Sequence, residues 1–203
     1  MKNLFFLGLF LSVFTFSHAQ TELWLGPKAG INMANVSNLD GNSYMGAYGG
    51  VAFGIHFSER YALQPEMGFS MQGSTEIYNS NEDLQLTYFT LGVINKLYLV
   101  DGLHLLAGPE FNFKVNDTFS DWADSEIYDE DGNYIGDTDA QPFDMAIVGG
   151  LGYDLPFGLT LEARYKQGIQ DVMNFINWDS DQDSRLNQVF QFGIAYKFHM
   201  NKK

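Results

Sequence analysis

The 203-residue chain carries 11 Lys+Arg against 25 Asp+Glu, a formal net charge of −14, with 21 Gly, 18 Phe, 11 Tyr and no Cys. That length suits one domain or one small barrel, and the acidic balance excludes a nucleic-acid partner, whose phosphates would repel it. The lack of Cys excludes disulfides, thiolate metal sites and a lipid-modified N-terminal cysteine.

Residues 1–19 read as an export signal peptide. Lys2 supplies the positive start, Leu4 to Phe16 a short apolar core, and Ser17-His18-Ala19 small residues at the two cleavage-reading positions. The core is much shorter than the roughly 18 residues of a spanning helix, so cleavage after Ala19 is expected, with 20–203 as one domain. Loss of Lys2 makes the mature chain one unit more negative. No later apolar run approaches the length of a transmembrane helix.

From residue 22 onward the hydrophobic period is two, the signature of strands rather than helices. Residues 22–34 set Leu23, Leu25, Ile31 and Met33 against Trp24, Gly26, Lys28 and Asn32. After loop 35–45, residues 46–57 alternate Val51, Phe53, Ile55 and Phe57 against Tyr48, Gly50, Gly54 and His56, and Ser58-Glu59-Arg60 forms a short turn. Residues 61–73 set Leu63, Met67, Phe69 and Met71 against Gln64, Glu66, Ser70 and Gln72; loop 74–84 is polar. In residues 85–99, Phe89, Leu91, Val93, Leu97 and Leu99 oppose Tyr88, Thr90, Lys96 and Tyr98, although Ile94 and Asn95 break the pattern.

After Asp101-Gly102, residues 103–115 alternate Leu105, Phe111, Phe113 and Val115 with His104, Glu110, Asn112 and Lys114. A long acidic loop, 116–141, leads to a sixth strand from Phe143 to Asp154, then the turn Leu155 to Gly158. The seventh strand opposes Leu159, Leu161 and Tyr165 to Glu162, Arg164 and Lys166. Loop 169–185 is acidic again, and the eighth strand runs Phe190, Phe192, Ile194, Tyr196 and Phe198 against Gln191, Gly193 and Lys197.

Eight strands joined alternately by long polar loops and short turns predict an all-β fold, an eight-stranded antiparallel up-and-down transmembrane barrel with an apolar exterior and a filled polar lumen. A strand needs only about 9–11 residues to cross the bilayer at a tilt. A secreted ligand-binding barrel is the alternative, but it would reverse the faces. Lys28, Glu66, Lys96, Glu110, Lys114, Asp144, Glu162, Arg164 and Lys166 all share the parity opposite the Leu/Phe/Ile face, together with most strand glycines. An eight-stranded interior is just wide enough for side chains to fill, so small residues beside Arg and Glu fit there. Pro27, Pro65 and Pro109 lie inside predicted strands of a closed sheet, where each removes one ladder donor. A bulge or frayed pairing is expected at each.

Gly26-Pro-Lys-Ala-Gly-Ile-Asn32, Leu63-Gln-Pro-Glu66, Ala107-Gly-Pro-Glu-Phe111 and Leu161-Glu-Ala-Arg-Tyr165 follow in that order. Over about residues 20–200 the chain resembles the outer-membrane β-barrel domain family of Bacteroidota often described as PorT-like. The resemblance implies an eight-stranded outer-membrane barrel and no enzymatic activity. Asn95 departs from the family, where Pro is usual at that point.

The lumenal charges Lys28, Glu66, Lys96, Glu110, Glu162 and Arg164 are close to balanced, as buried charges must be, so a packed, salt-bridged interior is expected, with a narrow porin-like channel for small solutes as the alternative. In loop 116–141, Asp129, Asp131 and Asp137 offer oxygen ligands of the kind Ca²⁺ takes. However, Asp129-Glu-Asp-Gly-Asn-Tyr lacks EF-hand spacing, and Asp131-Gly132-Asn133 between Ile127-Tyr128 and Tyr134-Ile135 reads as a hairpin tip. No other cofactor is expected. A catalytic reading needs a base and a nucleophile at the external rim, whereas His56, His104 and His199 all fall at the opposite strand ends. Gly149-Gly150-Leu151-Gly152 is no nucleotide fingerprint, since a strand follows it. Trp122 and Trp178 lie in acidic loops, where contact with a protein or glycan is one reading and loop packing the commoner one. The expectation is a monomeric structural or interaction barrel in outer-membrane lipid, with a protein partner on either side unidentified.

Overall fold

A computed structural model describes residues 22–38, 41–75, 83–118, 126–128, 134–137, 140–172 and 184–200. The predicted leader lies outside these residues. Eight long strands form the wall: β1 (Glu22–Val36), β2 (Asn42–Ser58), β3 (Tyr61–Thr75), β4 (Leu84–Val100), β5 (Leu103–Asp117), β8 (Phe143–Asp154), β9 (Leu159–Gly168) and β10 (Asn187–Tyr196). A small hairpin, β6 (Glu126–Tyr128) and β7 (Tyr134–Asp137), pairs antiparallel inside the long loop; the expected Asp131-Gly132-Asn133 tip lies outside the described residues. The two-residue β11 (Phe198–His199) continues β10 along β1.

Each wall strand pairs antiparallel with its neighbour, and β10 returns to β1 in register from Lys28↔Ala195 to Val36↔Asn187, so the sheet closes and leaves no edge. Alternation decides which side chains face out. Among the described residues between Leu25 and Leu161, every exposed large apolar side chain except Val100, beside the Asp101-Gly102 turn, carries an odd number, while Lys28, Asn32, Lys96, Glu110, Glu162 and Arg164 are buried. These are the faces of a membrane barrel and not of a secreted ligand-binding one. Cross-strand aromatic pairs reinforce the exterior: Phe69 and Phe89 meet edge to face with centroids 5.5 Å apart, and Tyr165 and Phe190 lie at 4.8 Å.

All three prolines interrupt the ladder on one side only, without changing register. Opposite Pro27 the β1–β10 pairing lapses between Lys28↔Ala195 and Leu25↔Phe198; opposite Pro65 β2–β3 lapses between Ala52↔Glu66 and Ile55↔Leu63; opposite Pro109 β4–β5 lapses between Gly92↔Glu110 and Asn95↔Ala107. On the other side each proline stays paired, to Val51, Val93 and Ile147. The missing N–H always faces the preceding strand of the ring, so the fraying is one repeated device. Where the residue before proline is glycine, the unclaimed carbonyl moves into the space above its Cα. A Cβ on Gly26 would lie 1.6 Å from the Tyr196 oxygen, and one on Gly108 would lie 2.0 Å from the Val93 oxygen. The Pro27 lapse also divides the last predicted strand into β10 and β11.

Two expectations need adjustment. The strands run further toward the long loops than periodicity indicated: β1 reaches Val36, β2 starts at Asn42 and β10 starts at Asn187, because the side chains beyond the bilayer belt still close the barrel mouth. Ile94 and Asn95 do not break the alternation. Ile94 is fully buried in the lumen beside Leu106 and Val148, while Asn95 faces outward, accepting from Tyr61 Oη at 2.7 Å and donating to the Ala107 carbonyl at 3.1 Å.

Candidate functional site

Among the described residues the buried polar and charged side chains gather in the interior, in layers. In the middle, Glu66 on β3 receives Arg164 of β9 through both guanidinium nitrogens, at 2.9 and 2.6 Å, together with Lys28 of β1 and the Gln64 amide. Arg164 Nη2 also donates to Glu162 at 2.6 Å, and Glu162 takes Lys96 of β4 at 2.9 Å. Lys28, Glu66, Arg164, Glu162 and Lys96 therefore form one continuous chain of opposite charges from wall to wall. Glu110 stands beside it, paired with Lys166 at 2.7 Å.

The placement follows from the strand motifs. Lys28, Glu66 and Glu110 each directly follow the proline of β1, β3 and β5. The long side chains also need empty neighbours. Lys28 pairs across the sheet with Gly50, Glu66 with Gly92, Arg164 with Gly150, and Glu162 with Gly152 on one side and Gly193 on the other. A Cβ on Gly150 would meet the Ala163 carbonyl at 2.3 Å, so there the strands themselves approach too closely for a side chain.

At the short-turn end the lumen is closed by rings. Trp24, 1% exposed, lies over Gly54, with Lys197 Nζ 5.0 Å and Lys96 Nζ 5.8 Å from its ring. Asp154 accepts from Lys197, from Tyr98 Oη at 2.9 Å and from Thr160 Oγ1 at 2.7 Å. His104 is buried against Gly152, its Nδ1 3.0 Å from the Gly102 carbonyl. At the long-loop end Val36, Leu84, Leu86, Tyr88, Ala140 and Val172 form a fully buried apolar cap. Ala140 and Val172 come from the connections, tied together by Gln141 N–H to the Val172 carbonyl at 2.7 Å. Between cap and ion pairs, Asn32 donates to Ser70 Oγ at 2.9 Å and to the Met71 carbonyl at 2.8 Å, and accepts from Gln191 at 3.0 Å.

All six lumenal charges read from the sequence lie in this interior. Asp129 and Asp131 lie outside the described residues, as does the side chain of Asp137. The contributors that alternation did not single out are the apolar cap and the Trp24 closure: Val36 and Val172 sit in stretches that read as loop, and Trp24 shares a parity with charges. Lys197 and Asp154 were legible as inward residues, but nothing in the pattern pairs them. Among the described residues no three His, Asp or Glu side chains converge as a metal site would require. His56, His104 and His199 all sit at the short-turn end, in β2, β5 and β11.

Among solved structures, the chain is similar to Neisserial surface protein A, at 12% identity over 87% of this chain and 97% of that one, with a TM-score of 0.49. It is also similar to Ail, the attachment invasion locus protein of Yersinia pestis, solved with the heparin analogue sucrose octasulfate, at 12% identity over 89% and 100% with a TM-score of 0.47. A de novo designed transmembrane β-barrel matches at 14% identity over 91% and 100%, with a TM-score of 0.41. None of these says what this chain binds, and a search of curated proteins finds no match. Residues 18–174 match the family described as outer membrane protein beta-barrel domain; with the closed eight-stranded wall and its apolar exterior, the chain belongs to that family.

Proposed function

We propose that this protein is a sealed outer-membrane barrel of the PorT-like branch found in Bacteroidota, exported by a leader ending at Ala19, whose role is structural or interactive and not catalytic. Its short turns face the periplasm, as in other outer-membrane barrels, and its acidic long loops form the external face offered to a partner. The observation that carries the reading is the wall-to-wall chain from Lys28 through Glu66, Arg164 and Glu162 to Lys96, closed on one side by Trp24 and on the other by the Val36/Leu84/Leu86/Val172 cap. A solute path would have to break buried ion pairs, at about 3–5 kcal/mol for each partner left alone.

A narrow channel is the competing reading, and a gap lined by Lys28, Tyr48, Glu66, Glu110, Lys166 and Gln191 is the observation it would use. That gap has room for about one water, which supports a hydration site over a passage. The test is the conductance of the full-length protein refolded into planar bilayers. A silent membrane is expected, with the protein shown to be folded by its shifted gel mobility before boiling. Steady openings of porin size would overturn the sealed-lumen reading.

A further inference from the structure

The mouth of the lumen at the short turns is built around Tyr98 of β4, whose ring packs against two imidazoles: His104 of β5, with centroids 4.9 Å apart, and His56 of β2, at 5.3 Å. Tyr98 Oη donates to Asp154 Oδ2 at 2.9 Å and stands 3.5 Å from His56 Nε2. His104 Nδ1 donates to the Gly102 carbonyl at 3.0 Å, and the same oxygen accepts the Asp154 N–H at 2.9 Å. The cluster therefore ties the Asp101-Gly102 turn to the end of β8. Lys197 joins it to the Trp24 closure, donating to Asp154 while its Nζ lies 5.0 Å from the indole ring.

This geometry suits neutral imidazoles. His104 is fully buried, and because its Nδ1 already donates, a second proton would sit on Nε2, which is buried without a partner against Gly152. A donor held there has no acceptor. His56 is partly exposed and so meets solvent first. The charged groups facing the two rings come from all around the mouth: Glu22 on β1, Lys96 on β4, Asp154 on β8, Glu162 on β9 and Lys197 beyond β10. Their carboxylates are already engaged. Asp154 accepts from Lys197, Tyr98 and Thr160, Glu162 accepts from Lys96 and Arg164, and Glu22 lies 3.2 Å from His199. Protonating both imidazoles adds two cations beside Lys96 and Lys197, with no further carboxylate among the described residues to meet them.

We propose that His56, Tyr98 and His104 form an acid-sensitive latch on the short-turn mouth, shut while both imidazoles are neutral and released when they take up protons. The released form, with both rings in water, accepts protons that the shut form has no place for, so the latch holds above the ordinary histidine range of about pH 6.5 and loses its hold as the pH falls below it. A proton on His199 acts the other way, on its contact with Glu22, but that pair is exposed and such pairs are worth little. Release breaks the Tyr98 contact with Asp154 and uncovers Trp24, while the Glu66, Arg164 and Glu162 ion pairs and the long-loop cap stay in place. The latch goes beyond the sealed-lumen reading, and it does not depend on whether the lumen conducts.

Trp24 reports the state of the latch. Trp122→Phe/Trp178→Phe leaves it as the single indole of the full-length protein, which is refolded in detergent so that both mouths meet solvent, and the quenching of its emission by acrylamide is measured. The quenching constant is expected to rise about twofold or more, reversibly, between about pH 7.5 and about pH 5.5. His56→Gln/His104→Gln keeps an amide donor at each position and removes the proton sites; in the same background it is expected to flatten the rise, whereas His199→Gln retains it. Gel mobility before boiling shows whether each variant is folded. If the double variant does not fold, His56→Gln alone decides, with a rise expected to be smaller than the parent's. A quenching constant that stays flat in the parent, a rise as large as the parent's in the folded His56→Gln/His104→Gln or His56→Gln protein, or a rise lost in His199→Gln would each overturn the latch.

Discussion

Glu66 accepts from Arg164, Lys28 and Gln64 at once, and replacing it by Gln tests whether the lumen is held by charge pairing or simply by packing. The variant keeps the volume and removes one negative charge. Arg164 then retains Glu162 at 2.6 Å, and Lys96 retains Glu162 at 2.9 Å, but Lys28 loses the one carboxylate it touches among the described residues. Lys28 is 8% exposed, and the gap it lines has room for only about one water. An uncompensated buried charge of this kind costs about 3–5 kcal/mol, a large fraction of the about 5–15 kcal/mol that holds a typical domain. If the cost comes from Lys28, removing that charge as well should recover part of it: Lys28→Met/Glu66→Gln is expected to be more stable than Glu66→Gln alone by about 2 kcal/mol, a sign-reversing coupling that independent contacts do not show. Urea titration of the barrel folded into lipid vesicles, read by gel mobility, measures both. Glu66→Gln within about 0.5 kcal/mol of wild type, the scale of an ordinary surface substitution, or a double variant at least as unstable as the sum of its singles, would refute the reasoning.

Three further outcomes follow from particular contacts. Gly108→Ala drives a Cβ to 2.0 Å from the Val93 carbonyl and is expected to cost about 1–3 kcal/mol, whereas Gly149→Ala, with nothing within 4 Å of its Cβ, stays near neutral in the same titration. Leu91→Arg places a charge on the lipid face and should cost about 2–4 kcal/mol if Leu91 lies near the bilayer midplane; folding efficiency into vesicles equal to wild type would show that the odd-numbered face does not meet lipid. Tyr61→Phe strips the donor 2.7 Å from Asn95 Oδ1 on the outer face, with an expected loss of about 1 kcal/mol. Adding Asn95→Leu should restore most of that loss, as measured by the unfolding midpoint.

Much of this protein is written at the level of single residues. Strict alternation from Leu23 to Phe198 settles strand identity and which face each residue takes, because successive side chains on a pleat point to opposite sides whatever the rest of the chain does. Loop lengths and the Asp-Gly-Asn tip likewise depend only on local backbone chemistry. The glycines and prolines also spoke from the sequence: a proline in a closed ring has to leave a carbonyl without its donor, and it does so at Pro27, Pro65 and Pro109. Partnership is different in kind. That Arg164 meets Glu66, 98 positions away, and not Glu110 depends on the tilt and stagger with which eight strands close, and those are properties of the ring as a whole. The same closure draws Val36, Leu84 and Val172 from three separate segments into one cap, since local periodicity gives a direction for each side chain but no distance to any other.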